Sequence, residues 1–261
     1  MLIFFSTFSF FTIFISEKEK YYAMNLTYKL NNILFLDIET VPQEENWNKL
    51  SKETQELFSK KTQYQRKEEF TAEQFYDRAG IWAEFGKIIC ISVGYFVKDE
   101  NAKQLRLTSF FGDDEHQLLT DFKVLLDKHF AKKTNILCAH NGKEFDFSFI
   151  ARRMIIQKIE LPKKLNLFGK KPWEVPHLDT LELWKFGDYK HYTSLKLLTN
   201  ILGIPSPKDD IDGSEVANVY YKEKDIQRIV RYCEKDTIAV AQILLRFNNE
   251  ELLKDENIVS V

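Results

Sequence analysis

The sequence predicts an α/β protein whose sheet is mixed: an antiparallel meander running on into alternating strands and helices, with helices on both faces. Three observations carry that prediction. Three β-rich runs, Ile33 to Thr40, Lys87 to Val97 and Gln104 to Phe111, come in succession, the last two joined across a polar turn at Lys98 to Lys103. Apolar stripes at helical spacing then follow acidic first-turn residues. Leu118, Leu119, Phe122, Leu125 and Leu126 stand behind Asp113 and Asp114, and Phe147, Ile150, Ala151, Met154 and Ile155 behind Asp146. Between these helices Asn135 to His140 is a short apolar strand, so the order is βββαβα, a pattern that packs as a mixed sheet covered by helices.

The remaining elements follow from punctuation. Pro42 to Phe85 is polar, charged and aromatic, with helix-forming stretches at Ser51 to Lys60 and Ala72 to Ala79; it is expected to be an insertion spanning about residues 42–86. Leu161 to Pro176 holds Pro162, Gly169, Pro172 and Pro176 and is expected to be irregular, while His177 to Asp179 forms a short fifth strand. Ser194 to Leu202 is a helix stopped by Gly203 and Pro205, Ser214 to Tyr221 a shorter piece, and Asp225 caps a long helix to about Phe247. Beyond it only a short acidic tail is expected.

Composition bounds the function. Of 261 residues, 44% are hydrophobic and 29% charged, which excludes a disordered or fibrous chain, and no Pro/Gly/Ser-rich linker divides it. One domain is expected over residues 24–261. A net charge of −2 excludes a polycation that coats nucleic acid, so any such contact is local. Cys90, Cys138 and Cys233 show no CxxC spacing and read as reduced core thiols of a cytoplasmic protein. Residues 1–23 open with a Phe-rich apolar run that lacks a basic start, falls short of the roughly 20 residues of a membrane span, and is followed by Glu-Lys-Glu-Lys. They are expected to be a start placed too far upstream of Met24, or a leader outside the fold; an N-terminal anchor is the alternative.

Three short stretches carry carboxylates. In Asp37-Ile38-Glu39-Thr40 the alternation of a strand turns Asp37 and Glu39 to one face, where they repel each other and lose hydration unless a divalent cation sits between them. The ordinary alternative is a strand running into an acidic turn. In His140-Asn141-Gly142-Lys143-Glu144-Phe145-Asp146-Phe147 an aspartate meets a helix start, where capping alone would account for it. In Tyr232-Cys233-Glu234-Lys235-Asp236 the i, i+4 spacing puts the phenol and the carboxylate on one helical face, an arrangement also open to a partly buried tyrosine beside a surface aspartate.

Together and in this order the three stretches resemble the motifs of the DEDD superfamily of 3′–5′ exonucleases, which have an RNase H-like fold, in the subgroup whose third motif carries tyrosine. The resemblance is to the proofreading exonuclease domains of family-B DNA polymerases and covers roughly residues 30–247. It implies that Asp37, Glu39, Asp146 and Asp236 hold two divalent cations, Mg²⁺ or Mn²⁺, and that Tyr232 orients the attacking water. It also implies substrate contacts at Thr40, Asn141 and Phe145. The chemistry agrees, because phosphodiester hydrolysis puts charge on entering and leaving oxygens, and two cations about 3.5–4 Å apart stabilise both. Four carboxylates suit hard cations, and no His/Cys cluster suggests zinc.

Other residues carry less. His140 reads as a structural histidine and Asp179 as a helix cap, with an outer-shell carboxylate as its alternative. Lys163, Lys164, Lys170 and Lys171 with Phe168 and Trp173 are either a strand-binding loop or a solvated one. The expected protein is thus a stand-alone metal-dependent 3′–5′ exonuclease acting on single-stranded DNA, with transient contact to a polymerase or repair complex and none to membranes. An exoribonuclease and a catalytically silent nucleic-acid-binding adaptor are the alternatives.

Overall fold

Strand β1 (Ile33–Pro42) is apolar on both faces, which suits only the middle of a sheet. The computed structural model, which describes residues 29–67, 69–98, 103–188, 190–205 and 211–261, puts it there. With β2 (Gly86–Lys98), β3 (Lys103–Phe111), β4 (Ile136–Ala139), β5 (Leu178–Asp179) and β6 (Ile258–Ser260) it forms one sheet in the order β5-β4-β1-β2-β3-β6. β1, β2 and β3 are the antiparallel meander, while β4 lies parallel to β1, β5 to β4 and β6 to β3. The mixed α/β architecture expected from the sequence is the one observed.

Each face of the sheet has its own helices. Leu34, Leu36 and Ile38 of β1 pack against Leu119 and Phe122 of α2 (Glu115–His129) and Phe147 and Ile150 of α3 (Asp146–Ile156), following α1 (Lys52–Arg66) in the chain. On the opposite face Ile33 and Phe35 pack with Val240, Ala241 and Leu244 of the last helix, α6 (Ile226–Phe247), which follows α4 (Thr180–Lys185) and α5 (Leu195–Ile201). Each such Val, Leu, Ile or Phe contributes roughly 1.5–3 kcal/mol relative to exposure. Further along that face Val41 meets Val230 and Cys233 in a third cluster, so β1 and α6 run past each other in opposite directions.

Two buried devices fix α3. Glu115 accepts hydrogen bonds from Ile88 N (2.8 Å), from Arg153 Nε (2.8 Å) and Nη2 (2.5 Å), and from Gln157 Nε2 (2.7 Å), and Arg153 Nη1 donates to Ala83 O (2.8 Å). One carboxylate thereby ties α2, α3 and β2 together. In the turn between β4 and α3, a Cβ on Gly142 would lie 2.5 Å from Ala139 Cβ and 2.9 Å from the Phe147 ring, so only glycine lets the chain turn this tightly into α3.

The structure departs from expectation in the tail, and between the first two strands it shows the helices the sequence predicts. The residues after Phe247 are not merely an acidic tail, since Ile258–Ser260 adds β6 to the free edge of β3. Residues 42–86 carry α1, a turn of helix at Ala72–Phe75 and a 3₁₀ stretch at Tyr76–Ile81 around their own aromatic cluster, Phe58, Phe75, Tyr76 and Phe85 with Trp47 and Trp82 packed on it. Residues 1–23, read as a misplaced start or leader, lie outside the described residues. No helix among the described residues is long and apolar enough to cross a membrane.

Candidate metal centre

Strand alternation fixes the first two carboxylates. Asp37 and Glu39 continue the Ile33, Phe35 row toward α6, and they lie beyond the β4 ladder, which pairs β1 only from Ile33 to Phe35. On the other side they stay in register with β2, Asp37 opposite Ser92 and Glu39 opposite Cys90, up to a register shift between Glu39 and Thr40. The site therefore sits where a parallel pair opens at its carboxyl end, the place where α/β sheets leave a crevice. Asp37 is half-buried and Glu39 is buried.

The chain leaving β4 brings the third. Asp146 is the first residue of α3, not its cap: the cap position is Phe145, which makes no side-chain cap bond. Asp146 is buried, and burial pushes its carboxyl up to about 8, helped by the charges of Asp179 and Asp236 and opposed by hydrogen bonds from its own amide and that of Ile38. Burial likewise pushes Asp37 and Glu39 well up. The neighbours that add to the rise at Asp37 are Glu39, Asp236 and Asp146, and at Glu39 they include Asp236 and Asp146. The structure thus brings the four carboxylates named from sequence into one mutually repelling group. Tyr232, Asp236 and Asp37 line one cavity of about 590 Å³.

Two further residues join this site: Cys233, which the sequence reads as a core thiol, and Asp179, which it reads as a helix cap or an outer-shell carboxylate. Cys233 is fully buried, as expected of a core thiol, yet its Sγ lies 3.3 Å from Asp37 O and 3.4 Å from Asp37 Oδ2. Ligand atoms of Asp37, Glu39 and Cys233 all fall within 4.8 Å of one another. Burial pushes the Cys233 thiol well up, so it keeps its proton and donates weakly to Asp37. Asp179 does cap α4, accepting from Leu181 N (2.9 Å) and Glu182 N (3.4 Å), but it also accepts from Asn141 N (2.9 Å) and Lys143 N (3.1 Å) and so clamps the turn that delivers Asp146. Both contacts join residues far apart in the chain, and no local spacing announces them.

The flanking candidates are placed as follows. Thr40 gives its hydroxyl to Gly80 O (2.8 Å), Asn141 takes a left-handed backbone (φ 62°) at the turn, and Phe145 packs on the α2/α3 cluster with its ring 5.3 Å from that of Phe149. His140 bonds Thr180 Oγ1 and Thr193 O, both at 2.9 Å; the carbonyl requires a proton on Nε2, and burial lowers the ring's pKa, so it is a neutral structural group. Phe168 and Trp173 are exposed, Lys171 lies over the Trp173 ring, and Lys164 bonds Lys132 O and Asn135 O. None of these loop residues lines the cavity.

The donor set can be tested against a cation directly. Oxygen atoms of buried, mutually repelling carboxylates fit hard divalent ions, which take oxygen ligands in preference to a thiol. A family model of the RNase H superfamily matches residues 75–248, about two thirds of the chain. The chain belongs to the RNase H superfamily. The match takes in Asp146, Tyr232 and Asp236 and begins after Asp37 and Glu39. Membership points to a nuclease-type hydrolase that acts on nucleic acid, a class whose members usually use divalent metals. No curated protein matches the chain.

Proposed function

We propose that the protein is a 3′–5′ exonuclease of the DEDD type, tyrosine subgroup, that removes nucleotides from the 3′ end of single-stranded DNA. The observation that carries this reading is the convergence of Asp37, Glu39, Asp146 and Asp236 from a strand end, a helix start and the last helix, beside a cavity that Tyr232 also lines. Attack from the 3′ end and the choice of DNA rest on the resemblance of the three motifs to those of the proofreading domains.

In this reading the four carboxylates bind a pair of Mg²⁺ or Mn²⁺ ions, whose positive charge offsets the burial and repulsion that hold the Asp37, Glu39 and Asp146 carboxyls up and so draws off their protons. Such a pair, when bound, supplies an activated water and neutralises charge on the phosphate oxygens. Tyr232 hydrogen-bonds the water and aims it at the phosphorus without needing to ionise. Asp179 holds the turn that carries Asp146, and Cys233 steadies Asp37 from behind. Thr40, Asn141 and Phe145 are proposed contacts to the strand.

The experiment is degradation of 3′- and 5′-labelled single-stranded DNA and RNA with and without Mg²⁺. The expected result is stepwise loss from the 3′ end of DNA that stops in excess EDTA. Undiminished activity in EDTA, or cleavage starting at the 5′ end, overturns the reading. RNA degraded as fast as DNA removes the substrate choice.

A further inference from the structure

The cavity that holds Asp37 and Asp236 continues past His140 to Tyr192, Ser194 and Lys196. At about 590 Å³ it has the size of a site for a compact ligand such as a nucleotide. Tyr192 stands out on its wall. Its ring is left 66% exposed, while the backbone beside it is tied to the fold, because the carbonyl of Thr193 accepts a hydrogen bond from the half-buried His140 ring at 2.9 Å. Partial burial raises the phenol's pKa, and the nearby charges of Asp179 and Asp146 add to the rise. Lys196, four residues on and exposed, and Lys235 put cations on a lining that also carries Asp37, Asp212 and Asp236.

An exposed flat ring on the wall of a cavity, with a cation on the same lining, matches what a nucleotide offers: a π face and a phosphate. Resting on the nuclease reading above, we propose that Tyr192 is the stacking platform for the base of the 3′-terminal nucleotide, and that Lys196 meets that strand's phosphate. Stacking of this kind is sequence-tolerant because every base has a π face.

The test uses the full chain in excess EDTA, so that the strand stays intact, and two single-stranded oligodeoxynucleotides carrying 2-aminopurine at the 3′ or the 5′ terminus. Binding of the wild type is expected to quench the 3′ probe and not the 5′ probe. Tyr192→Phe keeps the quenching, whereas Tyr192→Ala loses it and binds about 5- to 150-fold more weakly. Lys196→Ala is expected to weaken binding equally for all sequences and to lower the slope of log affinity against log salt by about one. Tyr192 is exposed, so both of its variants are expected to keep wild-type circular dichroism and melting. Equal quenching by wild type and Tyr192→Ala, or a 3′ probe that wild type binds without quenching, overturns the proposal while leaving 3′-end hydrolysis in Mg²⁺ untouched. Loss of that hydrolysis in the wild type overturns the nuclease reading instead.

Discussion

Asp146 differs from an ordinary helix-start aspartate because its carboxyl is buried beside other carboxylates, which moves its pKa up to about 8. Between the unfolded value near 3.9 and that figure the folded state binds the extra proton, so this group's contribution to stability falls as pH rises. Metal-free wild type is therefore expected to lose stability relative to Asp146→Asn as pH goes from about 4 to about 8, by more than 1 kcal/mol in total. Urea melts across that range check it, and parallel curves contradict it. Tyr232 calls for a different readout. Tyr232→Phe keeps the ring's packing on the third cluster and removes only the hydroxyl. A fall of roughly one to three orders of magnitude in kcat with little change in Kd is expected in single-turnover assays, and near-wild-type speed removes Tyr232 from the catalytic group. At this scale the sequence shows what lies within one turn or one strand repeat, such as the shared face of Asp37 and Glu39. It does not show that Cys233 touches Asp37 or that Asp179 clamps the Asn141 turn, because those partners meet only in the folded sheet.

The elements that position the site depend on contacts remote from it. Arg153 sits in the apolar stripe of α3, where periodicity gives no warning of a charge, and its partner Glu115 has the position of a routine first-turn acid in α2. Arg153→Met leaves Glu115 buried with its guanidinium partner gone and is expected to cost about 3–5 kcal/mol, measured by denaturant unfolding, while the variant that still folds keeps its kcat. Gly142→Ala acts nearer the chemistry. Overpacking against Ala139 and Phe147 is expected to cost about 1–3 kcal/mol and, by shifting the start of α3, to weaken divalent-ion binding as well. The long elements were legible because their periodicity is strong: β1, β2, α2 and α6 lie where the pattern puts them. The three-residue β6 was not, since so short a strand has no alternation to read and exists only by pairing with β3.

For the molecule as a whole, the acidic group sits in a chain of net charge −2 and faces a polyanionic substrate. On the proposed two-cation centre, cations bind before or with the nucleic-acid strand and stabilise the fold that presents the carboxylates. Mass action sets the scale: at about 100-fold excess over Kd the gain is about 2.7 kcal/mol. Mg²⁺ or Mn²⁺ is expected to raise the Tm of wild type in proportion to the logarithm of concentration, and to leave Asp37→Ala unmoved. The order of strands and helices, read from pattern, and the resemblance of the three motifs pointed to an RNase H-like fold, and the chain belongs to the RNase H superfamily. Substrate and direction of attack depend on a few atoms at the cleft, and no periodicity encodes them.

Calorimetric titration of Mn²⁺ into the metal-free protein examines the four-carboxylate centre without passing through activity. Two ions are expected to bind the wild type at neutral pH with release of protons, and Asp37→Ala or Asp236→Ala is expected to lose that binding while keeping the wild-type circular dichroism. Binding unchanged in both variants, or no binding to the wild type, would contradict the assignment of Asp37, Glu39, Asp146 and Asp236 as the metal centre.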